Sequence, residues 1–303
     1  MSLPKVSIGL PIYNGDEFLA GAIQSILGQT FTDFELIISD NASTDKTAAI
    51  CRHYAARDAR IRYYRNQENI GGANNGNRTF LLAKGEYFRW AAHDDLCAPT
   101  LIEKCVAVLD QNPEVVLCYT QTVNIDQQGQ ALGVTTLNRA TSPKVHRRFR
   151  DLAFRNDYCE PSYGLMRSDV LRQTRLEQDF TGSDRLLLCE LAFHGEFHEI
   201  GEPLFYKRHH PKNTYLDWRA RMAWFNPAWK GKITFPNWLQ FLGYFTAIQQ
   251  GPLSALEKFY CYGIMGEWFL VNGKSMAKDL LVAATMILHT KEQRKNAYIY
   301  NWE

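Results

Sequence analysis

Trp90-Ala91-Ala92-His93-Asp94-Asp95-Leu96-Cys97-Ala98-Pro99 follows an apolar run, Glu86-Tyr87-Phe88-Arg89-Trp90-Ala91, and precedes Thr100-Leu101-Ile102-Glu103-Lys104. The run reads as a buried strand and the segment behind it as a helix start. Two adjacent carboxylates, Asp94 and Asp95, therefore fall at the C-terminal end of a central strand, the edge at which open α/β sheets bind ligands. Adjacent aspartates repel each other. A divalent cation or several donors would relieve that repulsion, and hard cations such as Mg²⁺ are held by one or two carboxylates with phosphates and waters completing the shell. The plainer alternative is a solvated turn in which Asp95 caps the next helix.

The chain on the N-terminal side fits a strand of this kind. Residues 6–12 form a β-rich run ending in the turn Tyr13-Asn14-Gly15-Asp16. Residues 17–27 carry Phe18, Leu19, Ala22, Ile23, Ile26 and Leu27 on one helical face. Residues 34–39 read as a second strand, closed by Asp40-Asn41-Ala42-Ser43-Thr44-Asp45, which supplies a cap for a helix over 46–54. A third strand over 61–64 is followed by Asn69-Ile70-Gly71-Gly72 and a helix over 73–83. Beyond the carboxylates come a helix over 101–110 and a fifth strand over 115–119. Strands alternating with short helices imply βαβ units and a mostly parallel sheet, whose loop ends converge on one rim. Tyr13, Asp40 and Asp94/Asp95 each follow a strand, so groups far apart in sequence are expected to meet there.

After about residue 122 the alternation loosens. Gln127-Gln128-Gly129-Gln130 reads as a hairpin turn, Arg147-Arg148-Phe149-Arg150 as a basic patch on a helix, and Tyr163-Gly164-Leu165-Met166 as a short strand. Asp184 opens a helix over 185–193. Two strands, 197–200 and 204–207, lead to Arg208-His209-His210-Pro211. From Asn213 onward the chain is rich in Trp, Tyr and Phe and reads as helical. The organisation expected is one domain over 1–214, in two halves over about 1–125 and about 126–214, and then a helical C-terminal region over 215–303.

Composition excludes several classes. The 303 residues carry a net charge of +2, without the basic excess of a dedicated nucleic-acid binder. The seven cysteines, at 51, 97, 105, 118, 159, 189 and 261, form no Cys-x-x-Cys pair, which argues against zinc and fits reduced thiols. The chain opens directly into a strand-like run without a secretory signal, and its longest apolar stretch, 280–288, is too short to span a bilayer. A cytoplasmic location is expected, with any membrane contact peripheral, at the inner face.

Four further constellations suggest chemistry, each with a plainer counterpart. Asp40 at a sheet rim can accept a ring N–H of uracil, thymine or guanine, or can close an Asx turn. Asn69-Ile70-Gly71-Gly72-Ala73-Asn74-Asn75-Gly76-Asn77-Arg78 offers close backbone approach, a helix N-terminus and a guanidinium for a diphosphate, or is a flexible turn before a solvated helix. It matches neither a Walker loop nor a Gly-x-Gly-x-x-Gly fingerprint. Asp184, in Thr181-Gly182-Ser183-Asp184-Arg185, is placed as a general base or as an N-cap. His209 and His210 are metal or phosphate ligands, or surface histidines.

As a set, these pieces resemble the family 2 glycosyltransferases of the GT-A fold. The resemblance rests on Val6 to Asn14, Ser39 to Asp45, Asn69 to Arg78, His93-Asp94-Asp95, Gly182-Ser183-Asp184 and Arg208-His209-His210-Pro211, in that order over roughly residues 4–212. It implies a donor site in which Pro11 and Tyr13 wall the base, Asp40 reads it and Arg78 lies near the diphosphate. Asn14, Asn69, Gly71, Asn74 and His93 fall within the matching motifs and are counted with this donor site. Asp94 would hold the ribose or share the metal, Asp95 would bind Mg²⁺ or Mn²⁺, and His210 would complete that site. Asp184 matches the base position of an inverting displacement. A nucleotide-diphosphate sugar, with UDP favoured, and a saccharide or lipid-linked acceptor are thus the implied partners, in polysaccharide or glycolipid synthesis. Two positions depart from the pattern: Ala92 replaces the first acid of Asp-x-Asp-Asp, and Ser183 replaces the acid of Glu-Asp. They leave open a catalytically silent nucleotide-sugar binder. A sugar nucleotidyltransferase is disfavoured because no Gly-rich basic loop follows the first strand. Cys159-Glu160-Pro161-Ser162-Tyr163-Gly164, with Tyr158 before it, is expected on the acceptor side. The aromatic residues Trp218, Trp224, Phe225, Trp229 and Trp238 would cap the core, bind sugar, pack a homo-oligomer or touch a membrane.

Overall fold

The computed structural model describes residues 3–154, 159–210 and 218–288. Its centre is one sheet of nine strands: β1 (Val6–Ile12), β2 (Phe34–Asp40), β3 (Ile61–Arg65), β4 (Tyr87–Trp90), β5 (Leu96–Cys97), β6 (Val115–Ile125), β7 (Ala131–Thr135), β8 (Leu165–Arg167) and β9 (Glu196–Arg208). The order across the sheet is β3-β2-β1-β4-β8-β6-β9-β5, with β7 hairpinned onto β6. Strands β3, β2, β1, β4, β6 and β9 run one way, and β5, β7 and β8 run against them. The C-terminal ends of β1, β2, β4, β6 and β9 therefore share one rim, as expected for a mixed, mostly parallel sheet.

Helices α1 (Leu19–Leu27), α2 (Thr47–Ala55), α3 (Gly72–Leu81) and α4 (Leu101–Gln111) fill the crossovers of the N-terminal half. Two apolar clusters cover the two faces. One gathers Ile8, Leu10, Ile23, Leu36, Ile38 and Leu109 under α1 and α4. The other runs from Phe88, Trp90 and Phe80 to α5 (Val145–Ala153) and α7 (Ser183–His194), which follows the single turn α6 (Ser168–Leu171). It continues without a break into Met222 on α8 (Trp218–Phe225), Tyr244 and Ile248 on α9 (Pro236–Gln250), and Met265, Trp268 and Met276 on α10 (Ala255–Leu288). The boundary expected at 214/215 lies in 211–217, outside the described residues.

Three elements differ from the sequence reading. The strands expected at 197–200 and 204–207 are one strand, β9, whose register against β6 shifts near Pro203. Proline has no N–H to give the ladder, so the interruption shows in the sequence while pairing on both sides keeps the strand continuous. The fifth strand extends to Ile125 instead of ending near 119, because β7 and β9 pair along its second half. Leu96–Cys97, inside the carboxylate stretch, forms a short antiparallel bridge to Phe205 and Tyr206. Two residues are too few to leave a periodicity signal.

Candidate active site

A cavity of about 670 Å³ opens at the rim. Pro11, Ile12 and Tyr13 line it from the end of β1, Asn41 from the end of β2, Asn69, Gly72 and Asn75 from the start of α3, and His93 from the turn after β4. The opposite wall comes from the C-terminal region: Met222, Trp224, Trp229, Lys230, Lys232 and Met286.

Polar groups lock the loops together behind this wall. Asn41 Nδ2 donates to Asn69 Oδ1 at 2.8 Å and to the Gly71 carbonyl at 3.2 Å, while Asn41 Oδ1 accepts the Ile70 N–H at 2.9 Å. Asn75 Nδ2 donates to the Ser39 carbonyl, and its Oδ1 accepts Ser39 Oγ and Asn66 Nδ2. Asp40 is fully buried: Oδ1 accepts the Ser43 N–H at 2.8 Å, and Oδ2 accepts the Tyr63 hydroxyl at 2.8 Å and faces Arg65 at 3.3 Å. It thus closes the Asx turn that a carboxylate after a strand also predicts. Asn14 ties the first loop to the second, its N–H on Ser43 Oγ and its Oδ1 accepting the Thr44 N–H. Asn74 is exposed and donates back to the Ile70 carbonyl. Arg78 donates to Asn66 Oδ1. Of the residues expected at the donor, Pro11, Tyr13, Asn69 and His93 line the cavity, while Asp40, Asn14, Gly71, Asn74, Arg78 and Asp94 do not.

Gly71 stands at φ 88°, a region that disfavours side chains, and an added Cβ would strike the Phe225 carbonyl. A Cβ on Gly72 would come within 2.8 Å of the Trp224 ring. The glycines are therefore what lets the C-terminal wall settle on the start of α3. Trp229 Nε1 donates to the Asp179 carbonyl and Asn226 Nδ2 to Asp179 Oδ2, which fastens that wall to the loop ahead of α7.

Beside the cavity lies the carboxylate turn. Asp94 and Asp95 are nearly buried, as is His210. His210 Nε2 lies 2.9 Å from Asp94 Oδ2, and Asp95 Oδ1 accepts the Arg208 N–H at 2.8 Å. Asp95 does not cap the following helix. Burial, then the Asp94 charge, pushes the Asp95 carboxyl up to about 8. The buried Arg208 side chain donates to the carbonyls of Asp94, Asp126 and Gln127 and stacks over Phe18 at 4.7 Å, so β9 fixes the turn. Two crowded carboxylates suit a hard cation that takes its other ligands from phosphate and water. No group of three or more His, Cys, Asp or Glu ligands converges among the described residues, so the protein alone does not complete a metal shell.

Asp184 stands at the start of α7, with Oδ1 accepting the Arg185 N–H. The Cys159 thiol lies within hydrogen-bonding reach of Asp184 and Arg185. The Tyr163 hydroxyl is held well above its usual range by burial and then by the charges of Asp95, Asp94, Glu177 and Asp184. Asp184 and the Asp94/Asp95 turn thus both act on this phenol through their charge. Glu177 was not singled out by the sequence. Burial, then Asp184, pushes it up to about 8, and its backbone is clamped to Asn77 of α3 through both amide groups.

A rim of this construction, on this strand order, defines an α/β fold of the GT-A type. Glycosyl transferase family 2 matches residues 7–175, and the chain belongs to that family. Chondroitin synthase of Escherichia coli is 30% identical over 154 residues, covering 49% of this chain and 22% of that protein. The putative glycosyltransferase EpsE of Bacillus subtilis is 38% identical over 127 residues, covering 42% and 46%. The chain thus spans less than half the length of these relatives. Among solved structures, S. aureus TarS 1-349 in complex with UDP-GlcNAc superposes with a TM-score of 0.64 at 16% identity, covering 88% of this chain and 72% of that one. A mannosyltransferase from Pyrobaculum calidifontis, in complex with GDP-Man and Mn²⁺, gives 0.54 at 17% identity over 97% and 83%. No described helix is long and apolar enough to cross a membrane.

Proposed function

We propose that the chain transfers a sugar from a nucleotide-diphosphate donor, with a UDP-sugar favoured, to a hydroxyl of a saccharide or lipid-linked acceptor, with inversion, in polysaccharide or glycolipid assembly. The observation that carries this reading is the convergence of three strand ends and the α3 N-terminus on one cavity that borders the Asp94/Asp95 turn. Its volume suits a small ligand. The complexes of the two structural neighbours with UDP-GlcNAc and GDP-Man support a donor of this class.

Pro11 and Tyr13 wall the base, and Asn41, Asn69 and Asn75 hold the floor rigid. Reading of the base by Asp40 requires it to release Arg65, its longest contact. The α3 N-terminus, Lys230 and Lys232 offer positive potential to the diphosphate. Asp95 and Asp94, the latter held by His210, would contribute the protein's ligands to Mg²⁺ or Mn²⁺, which when bound neutralises charge on the leaving diphosphate. Asp184 takes the proton from the acceptor hydroxyl as its oxygen bonds to the anomeric carbon and the bond to the diphosphate breaks.

Calorimetric titration with UDP, GDP and dTDP, each with Mn²⁺ and with EDTA, tests the donor site. Metal-dependent binding of one diphosphate is expected. Binding of none of them would overturn the donor reading, and binding without turnover across an acceptor screen would favour the silent binder that Ala92 and Ser183 leave open.

A further inference from the structure

Helix α10 is built with two opposite apolar faces. The inner face, with Cys261, Ile264, Met265, Trp268, Met276, Ala283 and Met286, is buried against the core. The outer face carries Leu256, Phe259, Gly263, Gly266, Leu270, Gly273, Ala277, Leu280, Ala284 and Ile287. Their spacing alternates strictly between three and four residues, which is a heptad seam. Leu270 is 81% exposed, Phe259 71% and Ile287 67%. A Cβ added at Gly263, Gly266 or Gly273 would meet nothing within 4 Å.

We propose that this face is where a second copy of the chain docks, through an antiparallel pair of α10 helices with the two-fold axis between Val271 and Asn272. Self-pairing follows from the order of sizes along the seam. In this register Gly263 of one copy faces Leu280 of the other, Leu270 faces Gly273, Phe259 faces Ala284, Gly266 faces Ala277 and Leu256 faces Ile287. Three of the five layers match a large side chain with a small one, and interdigitation of that kind is what close helix packing requires. Charge agrees with size. Glu267, which pairs with Arg150 of its own copy at 3.1 Å, and Lys274 flank the seam on the same side, and the two-fold brings each Glu267 beside the other copy's Lys274.

Area agrees as well. The 34 residues of α10 make a stripe about 50 Å long and about 10 Å wide, on the order of 500 Å². Leu242, Phe245, Tyr262 and Phe269 are also exposed, and the Phe245 and Tyr262 rings are 5.4 Å apart, so the patch widens toward α9. Together these approach the about 800 Å² per partner of a stable interface.

Sedimentation velocity on the full chain tests the proposal, with the Gly263→Leu variant beside it. Gly263 faces open space, and leucine is the better helix former, so this variant keeps its helical circular dichroism. A dimer is expected for the full chain, a dissociation constant raised at least tenfold for Gly263→Leu, and recovery of the dimer in Gly263→Leu/Leu280→Ala. A chain that is monomeric at 50 μM overturns the proposal, as does a dimer that Gly263→Leu leaves intact, and loss without recovery overturns the register. A monomer that instead co-sediments through α10 with anionic phospholipid vesicles assigns the face to a lipid surface, against the proposal.

Discussion

Asp184 and Glu177 lie close enough for one to raise the other's proton affinity, yet they are given different work. Asp184→Asn is expected to keep donor binding by calorimetry and to lose about 10²–10⁴ in turnover, the usual scale of a general base. Glu177 is protonated in the fold up to pH of about 8, whereas the unfolded chain releases that proton near 4.5. Between these values the folded state binds more protons, so this residue's contribution makes stability fall as pH rises from about 4.5 to 8 and level off above. Glu177→Gln should flatten that segment of a Tm-against-pH curve; an unchanged slope would show that Glu177 is ionised throughout. Asp95→Ala should abolish the metal-dependent part of donor binding. Because Asp95 also accepts the Arg208 N–H, the variant is expected to lose about 1–3 kcal/mol of stability in a urea titration. At this scale the sequence separates residue types better than orientations. Asn74 and Asn75 are adjacent and alike, but one points to solvent and the other underlies the cavity, a difference of one helical step that depends on how α3 is docked. Arg89, inside an otherwise apolar run, is fully buried, its Nε and Nη2 without a partner among the described residues, and no periodicity distinguishes it from its neighbours.

Helix α3 shows what is legible in an element and what is not. Its start is marked by Asn69-Ile70-Gly71-Gly72, and the strands and helices of the first 120 residues follow the same local logic of period and turn signal. The role of the glycines is not local. Gly71 is required by a positive φ and by the carbonyl of Phe225, more than 150 residues later in the chain. Gly71→Ala is expected to cost about 1–3 kcal/mol in strain. It should also weaken donor binding at least about tenfold by lifting Trp224 and Phe225 off the cavity, and thermal melts with parallel titrations separate the two effects. A loss of stability at unchanged affinity would mean that the C-terminal wall does not serve the donor. Lys230-Gly231-Lys232 is illegible for a related reason: three residues of turn composition carry no sign of the cavity they line.

Over the whole molecule, the C-terminal region belongs to the core of the transferase. Tyr244, Ile248, Met265 and Trp268 are buried in the same apolar cluster as Phe88, Trp90 and Phe149. A chain ended after residue 217 would expose the outer apolar sides of α5 and α7, and it is expected to lack a cooperative thermal transition by calorimetry. A normal transition in that fragment would instead make 215–303 the separate region that its aromatic composition suggests. The order in which the cavity walls occur in the chain also bears on synthesis. His93 is the last N-terminal lining residue and Met222 the first C-terminal one, so about 130 residues must be added between them, on the order of 6–26 s of translation. Through that interval the growing chain has a finished N-terminal rim with no lid. A ligand of this cavity cannot be enclosed on the ribosome until the last helices have emerged and docked.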